Sequence, residues 1–232
     1  MLVLIRGAGD LASGIALRRF RSGYQIVMTE IPDPTTVRRT VAFSGAVLEG
    51  TASVEDVTAY QAKDAAEARI ITEKGHVAVL VDPDCLCCEL LRPQVLVDAI
   101  LAKKNLGTKK DDAPVVIGVG PGFTAGTDCD AVVETKRGHT LGRVLYTGSA
   151  IENTGVPGDI GGHTIERLIR SPREGSFVPL AQIGDRVEKG QVVAMVRETP
   201  VYAGLSGTVR GMLPKGIRVS AGMKCGDIDP RD

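Results

Sequence analysis

The chain has 232 residues, enough for one large domain or two modest ones that each bury a core, and two is the expectation. Lys and Arg together number 28, Asp and Glu together 28, and aromatics make up 3%. That balance offers neither an electrostatic phosphate-binding footprint nor a base-stacking surface, so nucleic acid is not an expected partner.

Residues 2–5 are apolar, residues 10–22 carry a helical pattern and residues 25–29 are extended again, a βαβ start. Residues 1–5 pass straight into Arg6 and glycines, and no apolar run reaches membrane-spanning length. The expectation is a cytoplasmic protein with no membrane partner. Between the first strand and helix stands Gly7-Ala8-Gly9-Asp10-Leu11-Ala12. Its two glycines allow a tight turn and close backbone approach, and Ala12 stands where a third small residue lets helix pack on strand. Glu30 closes the next strand, where a ribose-binding acid is expected. Gly7, Gly9, Asp10 and Glu30 therefore form a candidate site for NAD(P) or another nucleotide. The alternative is a structural βα turn in which Asp10 caps the helix and repels pyrophosphate. Arg38 and Arg39 follow, either to pair with phosphate or carboxylate or as surface charges.

Residues 41–57 alternate less clearly, which leaves their topology open, an antiparallel insertion included. A helical stretch near 61–74 and apolar runs at 77–81, 95–97, 115–119 and 131–133 predict a mainly parallel sheet, and residues 1–160 are read as a Rossmann-like α/β domain. Cys85, Cys87 and Cys88 cluster after one of these strands. Their reading runs from thiols that carry sulfur or selenium to small buried cysteines, with no closed metal site because no histidine follows at a finger spacing. Cys129 is a further thiol to test.

Asp98 ends an apolar strand and Lys103, Lys104 and Asn105 follow it, at the strand end where open α/β sheets bind ligands. Gly118, Gly120, Gly122 and Gly126 come next, a loop whose amides are able to form an anion nest. Asp128, Asp130, Glu134, Arg137 and His139 complete this polar stretch. His139, Asp98 and Lys104 are candidate catalytic groups, His139 because its pKa lies near neutrality, and Gly120, Gly122 and Arg39 join the candidate cofactor-binding set.

After about Ser171 the chain has short β-type runs and many glycines, and it repeats. Gly175, Gly184, Val187 and Gly190 recur as Gly207, Gly216, Val219 and Gly222, each 32 positions later. Residues 161–232 accordingly read as a small all-β lipoyl/biotinyl-like barrel-sandwich hybrid of two half-repeats. A carrier domain of that kind needs a lysine on the hairpin between its halves, and here the hairpin reads Arg197-Glu198-Thr199-Pro200. A structural or docking role is expected in place of a swinging arm.

The segments Ile5-Arg6-Gly7-Ala8-Gly9-Asp10-Leu11-Ala12, Val97-Asp98-Ala99-Ile100-Leu101-Ala102-Lys103-Lys104-Asn105, Gly118-Val119-Gly120-Pro121-Gly122-Phe123, Glu134-Thr135-Lys136-Arg137-Gly138-His139 and Gly226-Asp227-Ile228-Asp229-Pro230-Arg231 resemble those of the YqeB-type selenium-dependent molybdenum hydroxylase maturation proteins. That resemblance implies an accessory protein acting on the molybdenum cofactor, as cargo, or on the hydroxylase apo-enzyme. Two other classes stay open: an NAD(P)-dependent oxidoreductase resting on Gly7, Gly9 and Glu30, and a non-catalytic docking or scaffold protein. The subunit count is open too, a homo-oligomer included.

Overall fold

A computed structural model describes residues 1–231. It divides into two compact units, one of residues 1–34 and 41–154, the other of residues 35–40 and those from 155 onward.

The first unit begins with β1 (Leu2–Arg6), α1 (Asp10–Arg21) and β2 (Gln25–Glu30), continues with α2 (Gly45–Glu49), β3 (Thr51–Val54), β4 (Val57–Ala62), α3 (Ala65–Glu73) and β5 (Val77–Val81), and then α4 (Cys87–Leu91) and β6 (Val95–Asp98). It ends with β7 (Val115–Val119), β8 (Thr124–Ala125), β9 (Ala131–Val133), β10 (Val144–Leu145) and β11 (Gly148–Ser149). Nine of these strands form one sheet in the order β10-β9-β7-β6-β1-β2-β5-β4-β3, and β8 pairs with β11. Alternate side chains fill two cores, as the two-residue strand period requires. Val3, Ile5, Ile26 and Met28 face Ala12, Ala16 and Leu17 of α1. Leu4, Val27, Leu96 and Val116 face Ala68 of α3 and Leu91 of α4. Each fully buried Leu, Ile or Val contributes about 1.5–3 kcal/mol.

This architecture corrects the Rossmann-like expectation. The sheet is mixed: β3 runs antiparallel to β4 and β10 antiparallel to β9. A doubly wound domain covers its parallel strands with crossover helices, yet here residues 99–114 join β6 to β7 with no helix. Residues 41–57 fold as α2 and β3, turning back antiparallel onto β4. The parallel pairs β1–β2, β1–β6, β2–β5 and β6–β7 nonetheless put their carboxyl ends on one edge, with Arg6, Glu30 and Asp98 among the terminal residues.

The second unit contains β12 (Leu168–Arg170), β13 (Gly175–Pro179), β14 (Arg186–Val187), β15 (Val192–Val196), β16 (Thr199–Tyr202), β17 (Gly207–Met212), β18 (Arg218–Val219) and β19 (Lys224–Asp229). These make two four-stranded sheets, β12-β19-β17-β14 and β16-β15-β13-β18. The repeat is conformational as well as sequential. Gly175 and Gly207 share φ of 154° and 157°, and Gly184 and Gly216 share 99° and 97°. The halves also exchange strands, because β13 pairs with β18 (Gly175 opposite Val219) and β14 with β17 (Val187 opposite Gly207). Two small antiparallel sheets with exchanged strands, in a unit that also takes in residues 35–40, replace the expected lipoyl-like domain. Val37 packs on the unit's core, and its carbonyl accepts from Met212 N at 2.8 Å.

Candidate functional site

The glycine turn after β1 is tight, and its inner groups are satisfied by the chain itself. Gly7 has φ +94°, and a Cβ there would lie 3.1 Å from the Ala99 carbonyl oxygen and from Ile100 backbone atoms. Only glycine fits without strain. Gly7 N donates to Thr29 O at 2.9 Å and Ala8 N to Glu30 Oε2 at 3.0 Å, while Ile31 N donates to the other oxygen of that carboxylate at 2.9 Å. Burial raises the Glu30 pKa above the usual carboxylate range against the pull of these two amides. The Ala8 carbonyl accepts from Ser44 N and Ser13 Oγ, and Phe43 N donates to Ser13 Oγ. Gly9 caps α1 and Asp10 lies in its first turn. Glu30 thus closes the turn as an internal anion.

The second glycine-rich stretch is also shaped by packing. Gly122 has φ +111°, and a Cβ there would come within 2.5 Å of the Lys104 backbone. Gly120 N donates to Val133 O. Asp98 is buried against Arg6: Arg6 Nη1 lies 3.3 Å from Asp98 Oδ2, and Thr108 Oγ1 donates to the same oxygen at 2.6 Å. Lys104 and His139 are exposed. Arg39 belongs to the second unit, where its Nε is buried with no acceptor among the described residues. Glu134 was noted in the sequence only as part of a polar stretch. Burial works against its charge, but the amides of Ile151, Lys136 and Thr135 outweigh it and hold the carboxyl below its usual range.

A cleft of about 860 Å³ opens in this unit beside Leu96, and Arg6, Cys85, Cys88, Arg92, Lys109 and Asp112 all line it. Of its cysteines, Cys88 lies in the first turn of α4 and Cys85 in the turn between β5 and α4. Asp82 organises that turn, accepting from Leu86 N at 3.0 Å and Cys87 N at 2.7 Å through its carboxylate and from Cys85 N at 3.2 Å through its carbonyl. Cys85 adopts φ +58°, a left-handed conformation rare for a side chain of this type. It is 8% exposed and Cys87 7%, while Cys88 is half-buried and donates its thiol to the Asp112 carbonyl at 3.3 Å. The Cys85 thiol interacts with both neighbours. Cys87 and burial push it up to about 12 while Cys88 works the other way. Cys88 is raised as well, by Cys85 first and then by burial.

Arg6 latches this wall. It is 3% exposed, and besides Asp98 and Thr108 it donates to the carbonyls of Pro83 (3.4 Å) and Leu106 (3.3 Å). Its Nε has no acceptor among the described residues. Among those residues no group of three or more His, Cys, Asp or Glu is arranged to hold a metal ion. The sequence marked the cysteines but not the cleft, because its other wall comes from residues 107–114, far along the chain.

In the second unit, Asp227 is 1% exposed and is met by Arg210 Nε and Lys224 Nζ at 2.9 Å and by Arg38 at 3.4 Å. These cations overcome burial and hold its carboxyl well below the usual range. The β15–β16 hairpin turns at Arg197, with φ +54° and no lysine.

No family model matches the chain. A protein of Escherichia coli (strain K12) described as "Uncharacterized protein YqeB" is 54% identical over 230 residues, an alignment covering 99% of this chain and 42% of that protein. The chain therefore spans about two-fifths of the length of the curated relative it matches. An aspartoacylase family protein from Mesorhizobium loti is 16% identical at a TM-score of 0.32, with 100% of this chain and 85% of that one covered. A succinylglutamate desuccinylase from a Silicibacter species is 13% identical at 0.28, with 98% and 84% covered. Likenesses that low carry no chemistry across. The comparisons correct the expected assignment to selenium-dependent molybdenum hydroxylase maturation: the relative is described as uncharacterized, and its description names no such role.

Proposed function

We propose that the chain is an accessory binding protein that holds a small thiol-reactive cargo in the cleft beside Arg6 and passes it to a client, working in a reducing cytoplasm. The observation that carries this reading is the placement of Cys85 and Cys88 together on the wall of a cleft of about 860 Å³, a volume within the usual range for small-molecule sites. Cys88 is the half-buried thiol and the point of entry, and the buried Cys85 stands behind it. Carboxylates of Asp84, Glu89, Asp111 and Asp112 outnumber the cations Arg6, Arg92 and Lys109 on the wall, which favours a neutral or cationic cargo over a phosphate. All five cysteines are free thiols.

A nucleotide-linked dehydrogenase is less well supported, because Glu30 already accepts from the Ala8 and Ile31 amides and the turn packs against Ala99 and Ile100. The test is mass spectrometry of the chain isolated anaerobically from its own cells, intact and as peptides. An adduct on the peptide bearing Cys85 and Cys88 is the expected result. Bare thiols together with a bound nicotinamide dinucleotide would overturn the reading.

A further inference from the structure

We propose that Cys85 and Cys88 are a reversible dithiol–disulfide couple, placed back to back on one turn at the wall of the cleft and able to reduce a disulfide-bearing ligand that enters it. This inference rests on the cleft being the working site. Its geometry is local: Cys88 N donates to Cys85 O at 3.1 Å, closing a turn between the two. Such a turn brings its end Cα atoms within about 7 Å, and disulfides span Cα separations of about 4.4–6.8 Å. The turn is held ready by the Asp82 carboxylate, which takes the amides of Leu86 and Cys87. Both sulfur-bearing residues line the cleft. Cys87 does not line it, although Cys85 and Cys87 are both buried in the core with Leu91. A second and independent feature is Arg6, a cation 3% exposed that lines the same cleft and keeps an unpartnered Nε.

The chemistry balances with a low-molecular-weight disulfide as co-reactant. The Cys88 thiol loses its proton and attacks one sulfur of the ligand disulfide, breaking that S–S bond and releasing one ligand thiolate, which takes up a proton. Deprotonated Cys85 then attacks the Cys88 sulfur of the mixed disulfide, forming the Cys85–Cys88 bond and releasing the second ligand thiolate, which is also protonated. The two cysteines are oxidised and the ligand disulfide is reduced to two thiols. Cys88 is the attacking group because it is the more accessible. The attacking species is the thiolate, and because both thiols are raised the exchange is expected to speed up as pH rises.

The test equilibrates the full chain in glutathione buffers of graded poise, quenches it in acid, and maps the cysteines by mass spectrometry alongside alkylation of the reduced protein. The expected result is loss of two hydrogens, a single Cys85–Cys88 link reversed by dithiothreitol, retention of that link in Cys87→Ser, and its loss in a Cys88→Ser variant whose circular dichroism matches the wild type. A Cys85–Cys87 link overturns the couple. Ready alkylation of Cys88 with no link at any poise overturns the couple and leaves the cleft reading standing. Neither alkylation nor a link overturns both.

Discussion

The glycine turn after β1 and the cysteine turn after β5 lie on the same unit and end differently. At the first, the chain supplies its own anion: Glu30 takes the Ala8 amide, and Ser13 and Ser44 take the Ala8 carbonyl. At the second, Asp82 satisfies the backbone and leaves two thiols on the wall of a cleft. A turn whose polar groups are met from within is a packing device. One that satisfies its backbone and still presents reactive side chains to an opening has something left to offer a ligand.

The largest test of this contrast is the latch that shapes the cleft. Asp98→Ala leaves the 3%-exposed Arg6 without its carboxylate and should cost about 3–5 kcal/mol in urea unfolding. A loss under about 1 kcal/mol would mean the latch contributes little. Gly122→Ala comes next. Its φ of +111° and the 2.5 Å approach to the Lys104 backbone predict a cost of about 2–3 kcal/mol, read as a lowered melting temperature, and an unchanged melt would show that the loop yields.

Glu30 gives a smaller effect with a defined sign. Its pKa is raised in the folded chain, so the stability it lends is complete below the unfolded value of about 4.3 and is lost as pH rises through the folded value. Glu30→Gln should therefore flatten that part of the stability curve, and a mutant curve parallel to the wild type would refute burial as the cause of the raised pKa. Smallest of all, Lys189→Ala should change stability by less than about 0.5 kcal/mol, because the side chain is exposed. A larger loss, read in the same urea titration, would assign Lys189 a role that its position does not.

Strands with continuous apolar runs were legible, as at 2–5, 77–81 and 115–119, because burial on both faces demands such runs. The 32-residue repeat was legible because the paired glycines occupy matching positive-φ turns. The missing crossover helix between β6 and β7 was not, since residues 99–106 are apolar and basic enough for several conformations, and the structure instead puts Leu101 and Lys103 at φ near +60°. Partners distant in sequence escaped as well. Glu30 reads as a ribose acid until its hydrogen bond to Ala8 is known, and Asp98 as a site acid until Arg6 and Thr108 are found on it. The sequence marked Cys85, Cys87 and Cys88 and left them between carrier thiols and small buried cysteines. Cys85 and Cys87 are buried, and Cys88 is half-buried on the wall of the cleft that Cys85 also lines.

The most direct test of the central claim is residue-resolved alkylation of the folded, reduced chain with iodoacetamide, followed over time by peptide mass spectrometry. Cys88 should react first and Cys85 after it, while Cys129 and Cys225, both 0% exposed, stay protected until unfolding. Cys129 or Cys225 labelling before Cys88 would contradict the account, because the thiols facing the cleft would then not be the ones a ligand can reach.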